Sequence, residues 1–133
     1  MKLTLPATVV LALGLTLATT FAANRPGDWK RLGEKEASQK ADRDEVIVGV
    51  DEGVFKSIKL HVLKADVEFM SVRVVYASGD DQQIELRKKV RAGGESRPID
   101  LEGRNRSIRK VVFVYRSNSR ARNPAVVVLF GRR

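Results

Sequence analysis

The sequence contains no cysteine and only one histidine and one tryptophan among 133 residues. The absence of cysteine excludes disulfides, thiol catalysis, thiolate metal sites and a lipid-anchored cysteine. With a single histidine as well, the chain lacks the usual ligands of a zinc site. Aromatic residues make up 6% of the chain, whereas β-sheet proteins that read nucleic acids usually interleave aromatic residues with cations. We therefore expect no cofactor, no metal and no nucleic acid as a partner.

The first 22 residues have the outline of a cleaved secretory signal peptide. Lys2 precedes an apolar stretch from Ala7 to Leu17, and small or hydroxylated residues follow up to Ala22 and Ala23. The apolar stretch of about a dozen residues is short for a membrane span, which needs roughly 20. We predict cleavage after Ala22 and export to the periplasm or the extracellular medium. Cleavage after Ala23 and an uncleaved membrane anchor are the alternatives.

Residues 23–133 predict a single all-β domain. Hydrophobic residues make up 43% of the chain and charged residues 31%, a balance typical of a globular protein. From residue 45 onward, short β-branched runs are separated by turns at spacings of about ten residues, which indicates an antiparallel β-sandwich. The seven or eight predicted strands include the runs 45–50, 55–64, 72–76, 82–90, 99–101, 107–117 and 125–131.

Alternation within the runs assigns side chains to the two faces of each strand. In the second run, Ile58, Leu60 and Val62 share the core face, and Lys59 and His61 share the opposite face. A histidine without a nucleophile or a second ligand beside it predicts a solvated strand position rather than a catalytic one. The final run, AVVVLFG, is apolar at successive positions and predicts a strand buried on both faces.

The large aromatic residues are expected in the core. Phe113, Tyr115 and Phe130 lie in apolar runs, so none of them is expected to stack on a base. Trp29 is expected to fill the core near the start of the domain. The polar segment around it predicts a short strand followed by a loop, with a brief helix over 34–40 as the alternative.

Charge is distributed unevenly along the chain. Residues 23–86 carry 10 Lys and Arg against 13 Asp and Glu, whereas residues 87–133 carry 14 against 3, and 11 of those 14 cations are arginine. A guanidinium group binds phosphate or carboxylate through two parallel hydrogen bonds, so the second part of the chain favours an anionic ligand. The alternative is a solvated basic surface that keeps the domain soluble. The candidate anion-binding residues are Arg104, Arg106, Arg109, Arg116, Arg120 and Arg122.

The sequence has no recognisable catalytic motif. It lacks a GxSxG elbow, its Gly93–Gly94 pair lacks the spacing of a phosphate loop, and its acidic groups lack the spacing of an EF-hand. We therefore predict a non-enzymatic module that binds an anionic envelope component or a protein partner. An envelope polysaccharide hydrolase or lyase with an unidentified carboxylate pair is the alternative. A third hypothesis is an interaction protein whose last strand pairs edge to edge with a partner.

Several stretches of the sequence resemble a known family. They are WKRLG at 29–33, DRDEVIVG at 42–49, GVFKSIKLHV at 53–62, VRVVYASG at 72–79, GGESRPIDLEGRNRSIRKVVFVY at 93–115 and the final AVVVLFG. In order and spacing they resemble the small exported bacterial proteins of unknown function that form the YaaI-like domain family. The resemblance implies a β-sandwich-like fold outside the cytoplasm and carries over no activity, ligand or catalytic residue. Some members contain cysteines, which this chain lacks.

The most distinctive of these stretches, SRPIDLEGRNRSI, also has a structural interpretation. Asp100 is expected to pair with Arg97 or Arg106 across a tight turn. Such a pair would fix the register of the strands on either side of the turn.

Overall fold

The computed structural model describes residues 28–37, 42–117 and 123–133. Strands dominate these residues, and their helical content is one 3₁₀ turn at Val50–Glu52. No helix in the described ranges is long and apolar enough to cross a membrane. In chain order, the strands are β1 (Trp29–Glu36), β2 (Arg43–Ile47), β3 (Val54–Phe55), β4 (Ser57–Leu63), β5 (Val67–Tyr76), β6 (Asp81–Val90), β7 (Ile99–Asp100), β8 (Arg106–Ser117) and β9 (Val126–Arg132).

The strands form two antiparallel sheets. The first sheet has the order β1-β9-β4-β7, and the second has the order β2-β8-β5-β6, with β3 paired to β8. The predicted antiparallel β-sandwich is therefore confirmed. The short strand expected at 99–101 is present as β7. The described residues contain nine strands, one more than the upper expectation, because the predicted run 55–64 is divided: β3 pairs with β8 of the second sheet, whereas β4 lies in the first sheet.

One hydrophobic core lies between the sheets. From the first sheet, β4 contributes Ile58, Leu60 and Val62, and from the second sheet Val72 and Phe113 are buried with them. All five side chains are 0% exposed, and burying each one stabilises the fold by roughly 1.5–3 kcal/mol. The predicted faces of β4 are confirmed, because Lys59 and His61, which alternate with these three residues, are only partly buried.

The last strand, β9, lies in the middle of the first sheet. It pairs with β1 along one edge and with β4 along the other. Val127 and Leu129 face the core, and Val126 and Val128 on the opposite face are only 8% and 5% exposed. The strand is therefore buried on both faces over 126–129, as expected. The hypothesis that this strand pairs edge to edge with a partner protein is therefore wrong, because β9 is already hydrogen-bonded to β1 on one side and to β4 on the other.

Two aromatic residues expected in the core lie outside it. Phe130 and Trp29 are partly exposed on the outer face of the first sheet. Phe130 must face outward because the next residue, Gly131, meets the core: a Cβ at this glycine would lie 2.8 Å from the Phe55 ring. Trp29 lies directly opposite Arg132, which also belongs to the outer face.

The first strand is longer than expected. It runs over eight residues, and its residues 34–36 pair in register with β9. The alternative of a helix is therefore wrong for these positions, since pairing with a neighbouring strand overrides the helix preference of Glu and Lys. The predicted signal peptide lies outside the described residues, as do Arg120 and Arg122.

Candidate functional site

The four candidate arginines within the described residues have four different surroundings. Arg106 is held in a network of internal hydrogen bonds, and Arg116 lies beside two carboxylates. Arg109 is exposed on β8, and Arg104 lines a cationic pocket. The structure therefore does not bring these residues together on one face.

The side chain of Arg106 links the turn that contains Asp80 to the turn that contains Glu102, and we call these three residues the clamp. Its Nη2 donates to both carboxylate oxygens of Asp80 at 2.8 Å, and its Nη1 donates to the backbone carbonyl of Glu102 at 2.9 Å. Its guanidinium carbon lies 3.7 Å from the centroid of the Tyr76 ring. Because these donors are used within the protein, Arg106 is a structural residue rather than a free anion-binding group.

The same contacts shift the ionisation of three groups. Hydrogen bonds from Arg106 and Ser78 hold the pKa of Asp80 below its ordinary value of 3.8. The hydrogen bond to Asp80 raises the pKa of Arg106. Burial raises the pKa of Tyr76 above 10.0, although the positive charge of Arg106 opposes this rise. The clamp is therefore ion-paired at neutral pH, with a neutral phenol beneath it.

An Asp80→Asn variant should be less stable than the wild type mainly above about pH 4. Because the pKa of Asp80 is lower in the folded chain, its carboxylate stabilises the fold when the pH is above the ordinary pKa of 3.8 that it has in the unfolded chain. That contribution to stability is lost as the pH falls through the lower pKa that Asp80 has in the folded chain. We expect the melting temperature of the variant to lie below wild type at about pH 6, and the gap to narrow as the pH falls below about 4.

Thermal melts across this pH range measure the gap. An Asp51→Asn variant, which removes an exposed carboxylate from the 3₁₀ turn, controls for the loss of one surface charge. A gap between wild type and Asp80→Asn that does not change with pH would contradict the role given to the carboxylate.

Arg116 and Arg109 are separate from the clamp. Arg116 lies opposite Glu68 in the sheet, and with Asp66 and Lys89 they line a pocket of about 220 Å³. Two carboxylates in this lining make it a poor place for an anion. Arg109 is the extra residue where the register of β8 against β5 shifts. It forms no ion pair within the described residues.

Arg104 lines a second pocket, of about 420 Å³, at the end of the first sheet. The cations Lys56 and Arg132 also line it, and its described lining contains one carboxylate, that of Asp100. None of the three cations forms an ion pair with another described residue. The pocket therefore has an excess of positive charge. We call it the basic pocket, and its lining is Lys56, Ser57, Asp100, Leu101, Arg104 and Arg132.

The register of the first sheet assembles this pocket from distant parts of the chain. Ser57 of β4 lies opposite Asp100 of β7 on one side and opposite Arg132 of β9 on the other. Arg132 in turn lies opposite Trp29 of β1. These four residues form a row across the sheet. Lys56 joins the pocket because its backbone N–H donates to the carbonyl of Arg132 at 2.7 Å.

Hydrogen bonds and a turn fix the remaining groups. The Ser57 hydroxyl donates to the Asp100 carboxylate at 2.9 Å. The expected pairing of Asp100 with Arg97 or Arg106 is not found among the described ion pairs, because Arg106 is taken by the carboxylate of Asp80. Arg104 reaches the pocket from the turn after β7, where it has a φ of 53°.

Lys56 and Arg132 were not among the residues expected from the sequence. Lys56 lies in the acidic part of the chain, and Arg132 is almost the last residue. The signal that points to them is the apolar pattern of β4 and β9. Placing Leu60 opposite Leu129, both core residues, in an antiparallel pair puts position 57 opposite position 132.

The described residues do not provide an evident catalytic centre. They hold no group of three or more His, Asp or Glu residues arranged for a metal ion. The Nδ1 atom of His61 lies 3.9 Å from the Glu95 carboxylate, and its ring is edge-on to Phe130. Ser57 lies four residues away on the same strand, or about 13 Å, whereas a serine nucleophile needs its base within hydrogen-bond reach.

A family model described as "Domain of unknown function (DUF2541)" matches residues 8–131, which confirms the resemblance to a family of unknown function. No curated protein matches the chain. Among solved structures, the chain is similar to the SPBc2 prophage-derived protein YomS. The two are 13% identical with a TM-score of 0.42, over 83% of this chain and 97% of that one.

Proposed function

Since the chain belongs to the DUF2541 family, a family of unknown function, we propose a function from its own surface: an exported, non-enzymatic module that binds an anionic envelope component through the basic pocket. The observation that supports this proposal is the convergence of three cations around one carboxylate in a concave site. Pockets with a few convergent charged groups are the usual places for ligands. The signal-peptide pattern of the first 22 residues supports export.

The chemistry of the basic pocket suits an oxyanion. Arg104 and Arg132 each carry a planar fork that can donate two parallel hydrogen bonds to a phosphate or a carboxylate, and Lys56 adds a compact positive charge. These groups differ from Arg106, whose guanidinium is already hydrogen-bonded to Asp80. An anion entering the pocket therefore meets donors that need not first break an internal ion pair.

The floor of the pocket strengthens this attraction. Ser57 and Leu101 are 3% and 4% exposed, so one side of a bound anion is shielded from water. Charges near such a surface interact more strongly than they do in bulk water, because the effective dielectric constant is lower. The carboxylate of Asp100 is turned toward the Ser57 hydroxyl, which offsets part of its repulsion.

We expect the purified full-length protein to bind at least one of lipopolysaccharide, peptidoglycan and oligouronates. An Arg132→Gln variant should bind that component at least about tenfold more weakly, since a hydrogen bond to a charged group contributes roughly 1.5–3 kcal/mol. Titrations at about 50 and about 200 mM salt measure the affinity and show how much of it is lost when salt screens the charges.

The matched control for this experiment is Arg109→Gln. It removes the same charge from an exposed position that lines neither pocket, so its affinity should stay within about twofold of wild type. Equal losses in the two variants would show non-specific attraction to a basic surface. Failure of the wild type to bind any of these components would refute the proposed function.

A further inference from the structure

Beside the basic pocket, the outer face of the first sheet carries partly exposed aromatic rings among cations. Trp29 of β1, Phe130 of β9 and His61 of β4 project from this face, together with Lys59. The His61 and Phe130 rings are 6.3 Å apart and nearly perpendicular. We call these four residues the aromatic face. Most aromatic residues of the domain are buried in the core, so this grouping is distinctive.

Cations are held directly against these rings. The Lys59 ammonium lies 4.5 Å from the centroid of the Trp29 ring and 5.9 Å from that of Phe130. The Arg132 guanidinium lies 4.6 Å from the centroid of the Trp29 ring. Contacts of this kind fix long cationic side chains in place. Because Arg132 also lines the basic pocket, the pocket and the aromatic face form one continuous surface.

This combined surface is too long for a single small anion. The row from Asp100 through Ser57 and Arg132 to Trp29 crosses four strands. Neighbouring strands lie about 4.8 Å apart, so the row spans about 14 Å. A ligand that contacts both ends must therefore be an extended molecule.

Carboxylates within the surface decide the class of that ligand. Asp100 lies at one end of the row, and Glu95 lies at the edge of the aromatic face, 3.1 Å from the Lys59 ammonium. A ligand needs hydroxyl groups to donate hydrogen bonds to these carboxylates and negative groups to meet the cations. A sugar acid provides both, and the C–H groups of its ring pack against aromatic side chains.

We propose that this surface binds a segment of an acidic polysaccharide, with one acidic group in the basic pocket and an adjoining sugar ring on the aromatic face. The inference rests on the proposed function and adds the class of ligand. Single-stranded DNA fits less well, because its backbone has no free hydroxyl groups to donate to the carboxylates of Asp100 and Glu95.

The test compares hexagalacturonate, its monomer galacturonate, the oligonucleotide dT12 and anionic lipid vesicles, by calorimetry at one salt concentration. Hexagalacturonate should bind at least about tenfold more tightly than the monomer, because the monomer cannot reach both ends of the row. It should also bind at least about tenfold more tightly than dT12, whose backbone has no free hydroxyl groups to donate to Asp100 and Glu95. Phe130→Ala and, separately, His61→Ala should weaken hexamer binding about fivefold. Neither residue lines the basic pocket, so both variants should bind the monomer as the wild type does.

Ile47→Ala is the control, since it removes an apolar side chain that is 64% exposed on the second sheet. Urea unfolding of each variant establishes that it is folded. Equal affinities for hexamer and monomer, tighter binding of dT12 or vesicles, or unchanged hexamer binding in both ring variants would overturn this inference. In each of those cases the proposed function still stands if monomer binding depends on Arg132. If no anion binds at all, both proposals fail.

Discussion

Replacing Phe55 with alanine is expected to lower the free energy of unfolding by about 3–5 kcal/mol, the usual cost for a fully buried phenylalanine. Phe55 is 0% exposed and lies where the chain passes between the sheets. It pairs with Arg106 of the second sheet, and the N–H of the following Lys56 donates to Arg132 of the first. Removing the ring leaves a cavity beside Gly131 that two hydrogen-bonded strands cannot close. Since domains are stable by only about 5–15 kcal/mol, the variant should be marginal.

Urea unfolding monitored by circular dichroism measures this loss. If the slope of the free energy of unfolding against urea concentration is the same in both proteins, the same two states are being compared. Val54→Ala is the matched control on the same strand. Val54 is 45% exposed, so this variant should change the stability by less than about 0.5 kcal/mol. A loss below about 1 kcal/mol for Phe55→Ala would contradict the position of the ring in the core.

Local alternation predicts strands and their core faces well, but it cannot predict which strands are neighbours. It placed Ile58, Leu60 and Val62 correctly because a core requires an apolar residue at every second position of a strand. In β9 both faces are apolar, so the period does not reveal that Phe130 faces outward. Trp29 lies in a polar segment that has no alternation to set its face. Only pairing with β9 places it opposite Arg132.

The candidate site was harder to predict than the fold, because side chains meet there through turns and strand pairing. Composition correctly located the excess of arginine in the second part of the chain. However, Arg104 and Arg106 are two residues apart and have different roles, since left-handed backbone at Arg104 and Asn105 turns the chain between them. Lys56 comes from the acidic part of the chain and joins the basic pocket through the hydrogen bond of its backbone to Arg132. A count of local charge does not detect such long-range contacts.

Removing all three cations of the basic pocket should nearly abolish binding of the anionic ligand. The variant combines Lys56→Ala, Arg104→Asn and Arg132→Gln. Asparagine is chosen at position 104 because this position has a φ of 53°, which asparagine tolerates better than most residues. Each hydrogen bond to a charged group contributes roughly 1.5–3 kcal/mol, so losing three should weaken binding by about a thousandfold or more. The fold should persist, since these cations form no ion pair with a described residue.

The control has the same net charge and removes three exposed cations elsewhere, Arg43, Lys88 and Arg109, which line neither pocket. Its affinity should fall only slightly, and mainly at low salt, because distant surface charges are screened beyond about 10 Å at 0.1 M. For the pocket variant, by contrast, part of the loss of affinity should remain at high salt. The slope of the logarithm of affinity against the logarithm of salt concentration should also become smaller by about one for each cation removed. If the two triple variants lose affinity equally, the arginine-rich part of the chain acts as a diffuse positive surface. If only the pocket variant loses it, the basic pocket is the binding site.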